Sequence, residues 1–173
     1  HRHISEEAEA NYGSEVGPAA LQQYVVDWRG ATSKQDVLNQ IKGLMDKYKF
    51  KPGEWIYFIN RLSFMGGSGA SSDQNVQSKI LFDELGRKDL DTVTPNNPAA
   101  FSEGIPEDNG LFVNSKGWDL IMAKHGDIIK KYGRFWIDSA GQPDGHLEPP
   151  ATRIVLNLLP KPIPEAIAPV YKQ

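Results

Sequence analysis

The chain has 173 residues, of which 39% are hydrophobic and 24% charged, with a net charge of −3; this is ordinary globular composition at a length that can bury a real core. Cysteine is absent, which excludes disulfides, thiolate metal sites and cysteine nucleophiles together. With no basic excess and no Lys/Arg run, nucleic acid and anionic membrane are excluded as natural partners, and no apolar run approaches the ~18 residues of a spanning helix. The expectation is a soluble protein, cytoplasmic or exported.

In chain order, residues 1–20 read as an N-terminal arm. It opens on His1-Arg2-His3 with no start Met or leader, as expected of a piece cut from a longer protein, and continues through acidic, small and Gly/Pro residues. Residues 21–173 read as one α+β domain. Tyr24–Trp28 is a β-branched and aromatic strand. Thr32–Lys49 is a helix, with Thr32 as cap, Gln35 at the capping-box position and Val37, Ile41, Leu44, Met45 and Tyr48 at helical spacing. Pro52-Gly53 turns the chain into Glu54–Ile59, a dense apolar strand expected to be buried on both faces. Gly66–Ser72 is a loop: it lacks the Gly-Lys-Ser/Thr of a phosphate loop, and Ala70 breaks a Gly-x-Ser-x-Gly elbow.

A helix is predicted over about Asp73–Leu85, with Val76, Ile80 and Leu81 inward, followed by a turn-rich connector over Leu90–Pro98. Ala99–Ser102 and Leu111–Val113 read as short strands. Ser115–Tyr132 is a helix capped by Ser115, with Trp118, Ile121, Met122, His125 and Ile129 on one face, and Gly133 ends it. Arg134–Asp138 and His146–Glu148 form a hairpin around Ala140-Gly141 and Asp144-Gly145. Pro149-Pro150 opens a helix that buries Ile154, Val155, Leu158 and Leu159, and Pro164 starts a last helical segment. About four helices and a small sheet, without a βαβ period or repeats, predict an α+β fold.

On an extended backbone His1 and His3 project to the same side and could reach one metal ion together. His125 reads as a packed helix-face residue and His146 as a surface residue of the hairpin. The four tryptophans fall at core-like positions. Asp36, Asp46, Asp83, Glu84 and Asp119 are scattered over helix faces, with no pair spaced for shared acid–base work, so no catalytic residue is assigned within this chain.

Three stretches in shared order resemble the metal-dependent amidohydrolase superfamily, and within it the amidohydrolase family 3, YtcJ-like group. His1-Arg2-His3 resembles the His-x-His that ends the first barrel strand. Pro52-Gly53-Glu54-Trp55-Ile56 is similar to the group's Pro-Gly-x-Trp-Ile. From Leu90 onward, Leu90-Asp91-x-Val93-x-Pro95-x-x-Pro98, Val113-Asn114-Ser115-Lys116 and Asp138-x-x-Gly141-x-Pro143-x-Gly145-x-Leu147-x-Pro149 are similar to successive motifs of that group, except that Asn109 stands where the group often has a His. The resemblance implies an insertion between the first two strands of a (β/α)8 barrel, forming a cap over its mouth.

The parent would hydrolyse a non-peptide amide or related C–N bond in a small molecule, with a divalent metal, expected to be zinc, that lowers the pKa of water and polarises the carbonyl. His1 and His3 would be metal ligands in the intact parent only. Asn109, Asn114 and Glu148 would face the substrate pocket, and the remainder of the barrel would be the partner. The isolated chain is expected to be inactive and to hold no tight metal, since two histidines give up much ordering entropy for two bonds. The alternative is a free-standing binding or interaction module without catalysis.

Overall fold

The computed structural model describes residues 22–28, 30–60, 72–102, 110–161 and 163–164. Six strands form one mixed sheet: β1 (Tyr24–Val26), β2 (Ile56–Asn60), β3 (Ala99–Ser102), β4 (Leu111–Val113), β5 (Arg134–Ile137) and β6 (Pro143–Glu148), in the order β1-β2-β3-β4-β6-β5. β1, β2 and β3 run parallel, and the remaining neighbours are antiparallel. The described helices are α1 (Lys34–Tyr48), α2 (Ser72–Glu84), α3 (Arg87–Val93), α4 (Ser115–Tyr132) and α5 (Thr152–Leu158). The α+β expectation holds. α3 occupies the start of the segment that reads as a connector, because Leu90 turns into the core and gives a stretch of about two turns something to pack on.

Two cores lie on opposite faces of the sheet. Ile56 and Phe58 of β2, with Ala99 and Phe101 of β3, point towards α1, α2 and α3. Tyr57, Ile59 and Ala100 point towards α4 and α5. Alternation along a strand sends neighbours to opposite faces, so a strand covered on both sides is largely apolar; all five residues of β2 are buried, and of these only the last, Asn60, carries an amide, which donates to Ser78. Trp28, Phe101 and Phe112 stack in series at centroid distances of 5.1 and 5.4 Å, which adds about 0.5–1.5 kcal/mol per pair beyond the area buried.

Helix ends depart from the sequence reading in instructive ways. The cap of α1 is Ser33, not Thr32, and the reciprocal partner is Asp36, not Gln35. Asp36 accepts from the backbone of both Thr32 and Ser33, so a short carboxylate at this place outcompetes the longer amide. The cap of α4 is Asn114, one residue before Ser115. α2 buries Leu81 and Phe82 while Val76 and Ile80 are 60% and 43% exposed. The inward stripe is rotated by about one position, because Phe82 offers more apolar area than Ile80 to the sheet beneath. Pro143–Glu148 is a continuous strand, so Asp144-Gly145 is not a turn. Gly145 has φ +100, and a Cβ there would sit 2.4 Å from the Val113 carbonyl oxygen; only glycine permits this approach of β6 to β4. α5 starts at Thr152, after a cis Pro149-Pro150 bond.

Candidate functional site

Two of the stretches that carry the resemblance, Pro52–Ile56 and the one from Leu90 to Ser115, meet in the folded chain. Asp91 on α3 accepts from the Ser115 backbone N–H (2.8 Å) and from the Ser115 hydroxyl (2.6 Å), pinning the start of α4 to α3. Asn114 sits between them with none of its surface exposed. Its Oδ1 accepts from Ala99 N (3.0 Å) and Gly117 N (2.9 Å), and its Nδ2 donates to Asn97 O (2.7 Å), Thr94 Oγ1 (2.9 Å) and, at longer range, Thr94 O (3.3 Å). Asn97 in turn donates to Lys51 O (2.7 Å) and Glu54 O (2.9 Å). The turn Pro52-Gly53 is tied to the same segment by Gly53 N to Asn96 O (2.9 Å) and Ile56 N to Pro98 O (2.9 Å). Residues more than sixty positions apart thus form one hydrogen-bonded knot around the buried Asn97 and Asn114, and both polar atoms of the Asn114 amide have partners, as burial demands.

A second cluster lies on β5 and β6. His146 is 2% exposed and stacks on Trp136 at 4.4 Å and 17°, which corrects the expectation of a surface histidine: β6 is an inner strand here, so its middle residue falls under α2. Its Nε2 lies 3.0 Å from the Phe82 carbonyl oxygen. A carbonyl can only accept, so Nε2 carries the proton. Nδ1 is 3.2 Å from Asp144 Oδ1, close but not aligned as a hydrogen bond. Burial works to raise the Asp144 carboxyl, yet the nearby His146 imidazole and the His146 backbone N–H, which donates to Oδ1 at 2.9 Å, hold it below the ordinary carboxylate value. Glu148 is half-buried and accepts from Trp136 Nε1 at 2.8 Å. Asp138 closes its turn by accepting from Ala140 N and Gln142 N, and it pairs with Lys88 at 2.9 Å.

Of the residues expected to face substrate, Asn114 is enclosed and its amide is spent inside the protein, Glu148 stands beside Trp136, and Asn109 lies outside the described residues, as do His1, His3 and the 66–71 loop. The structure does not bring Asn114 and Glu148 into one pocket. Among the described residues no group of three or more His, Asp or Glu side chains is placed to hold a metal ion. No described helix is long and apolar enough to cross a membrane. The knot partners Thr94 and Asn97 escaped the sequence reading; their only signal was their place within or beside the motif from Leu90 to Pro98. Comparison with protein-family models, curated proteins and solved structures finds no match.

Proposed function

We propose that this chain is the accessory, pocket-forming portion of a metal-dependent amidohydrolase that cleaves a non-peptide amide or related C–N bond. The observation that carries the reading is the knot: Pro52-Gly53, Asp91, Asn97, Asn114 and Ser115, drawn from separate stretches of the resemblance, converge and bond to one another. Motif residues that share one structural task are what a common cap architecture would require. In this reading Asn109 and Glu148 face substrate. Asn114 is a positioning residue, tying the start of β3 to the start of α4. The intact parent would bind its divalent ion partly through His1 and His3, and that ion would supply Lewis acidity for attack by water.

The test has two parts. The reading frame on either side of this segment is expected to encode barrel strands bearing further histidines and a late Asp; a stop codon directly after Gln173 would refute the reading and leave a free-standing binding module. Isothermal titration of the 173-residue chain with zinc is expected to show no tight stoichiometric site, and a one-to-one sub-micromolar site would contradict the assignment of His1 and His3 as ligands only in the parent.

A further inference from the structure

A cleft of about 590 Å³ opens at the amino end of β1 and β2, away from the His146 cluster and bordering the knot at Lys51 and Glu54. Its apolar wall is aromatic: Tyr24, Tyr48, Phe50 and Trp55. Lys49 and Lys51 stand at its edge, both exposed, and neither ammonium is in an ion pair among the described residues. Tyr24 is 6% exposed, and its hydroxyl has no hydrogen-bond partner among the described residues. Burial foremost, then Tyr48 and Glu54, push that phenol up from its ordinary value, so it stays protonated and able to donate.

The backbone marks the same place. Among the described residues, the non-glycine positions with left-handed φ are Gln22 (57°) and Lys49 (48°), and both line this cleft. Lys49 closes α1 at a position where glycine is the ordinary choice. A lysine kept there against its conformational preference stands at the edge of the aromatic wall. Against the one carboxylate among the described lining residues, Glu54, which accepts from the Lys51 backbone N–H at 3.0 Å, stand two ammonium groups, so the cleft is net positive.

We propose that this cleft binds a small aromatic carboxylate, its ring against Tyr48, Phe50 and Trp55 and its carboxylate on Lys49, Lys51 and the Tyr24 hydroxyl. A flat ring buries apolar area on the aromatic wall, and a carboxylate gives the unpaired donors charged acceptors. The site does not depend on the amidohydrolase reading: Trp55 belongs to the Pro52–Ile56 stretch, but here it is an apolar wall, and no side chain that bonds within the knot is used.

The experiment is amide NMR titration of the full chain with three probes that share one ring: phenylacetate, neutral phenylacetamide and cationic phenethylammonium. Phenylacetate is expected to shift residues 22–24, 48–51 and 54–55 saturably, and to bind about tenfold more tightly than the amide. Its affinity should fall as salt is raised, since the ammonium groups are exposed. The double variant K49A/K51A should bring phenylacetate down to the affinity of phenylacetamide while leaving phenylacetamide unchanged, and Tyr24→Phe should weaken phenylacetate in a folded protein. Absence of saturable shifts, equal binding of the three probes, tightest binding of phenethylammonium, or indifference to K49A/K51A would each overturn the proposal.

Discussion

Replacing Asn114 by alanine separates a structural role from a substrate contact. The side chain satisfies two buried backbone donors, Ala99 N and Gly117 N, and donates to Asn97 O and to Thr94. Removing it uncaps α4, at a cost of about 1 kcal/mol, and orphans the Ala99 N–H in a fully buried strand, at a cost of about 1–3 kcal/mol. The carbonyl of Asn97 and the Thr94 hydroxyl lose a donor but keep a lone pair that relaxation or water can serve, so they add less. The expected sum is about 3 kcal/mol, a large part of the roughly 5–15 kcal/mol that holds a domain together. With a urea slope of about 2 kcal/mol/M, the midpoint should fall by about 1.5 M while the slope stays fixed. Asn114→Asp keeps the cap acceptor but sets a second oxygen against Asn97 O, so it should not rescue. A midpoint shift below about 0.5 M for the alanine variant would show that the knot is not held by this amide.

Gly145→Ala should be more damaging than its single methyl suggests, because the added Cβ would meet the Val113 carbonyl at 2.4 Å and Arg87 Cβ at 2.9 Å with φ at +100. A thermal melt should show a loss above about 2 kcal/mol or no soluble protein. Lys49→Gly should act in the other direction and raise stability by about 1 kcal/mol, since glycine takes the left-handed C-cap of α1 without strain; in the same variant the aromatic carboxylate should bind less tightly. Asp36 is held below the ordinary carboxylate value, chiefly by the Thr32 backbone N–H, then by Ser33. A depressed carboxyl contributes stability that is full above its unfolded value, about 3.9, and is lost as pH falls through its folded one. Asp36→Asn should therefore lower the melting temperature at pH 7 and flatten the acid limb of a stability–pH curve, and an unchanged limb would refute the capping assignment.

Sequence alone went far where one element explains its own residues. The all-apolar Ile56–Ile59 could only be a strand covered on both faces, and Trp118, Ile121 and Ile129 recur at helical spacing and lie buried on one side of α4. It faltered where two solutions are nearly equal locally and a neighbour decides. Thr32 and Ser33 can each cap a helix, and the reach of Asp36 selects Ser33. Val76 and Ile80 suit an inward stripe as well as Phe82 does, until the sheet beneath α2 is in place. His146 reads as a hairpin surface residue until β6 is enclosed between β4 and β5.

Composition and periodicity therefore determined the class, the elements and the apolar faces, because these depend on which side of each segment avoids water. Tertiary structure decided the polar side chains. Whether Asn114 touches a ligand or ties Ala99 to Asn97, and whether Lys49 merely ends a helix or also edges a cleft that Tyr24 of β1 helps to wall, depends on partners well outside the local segment. The directional bonds of such groups are fixed only when those partners arrive.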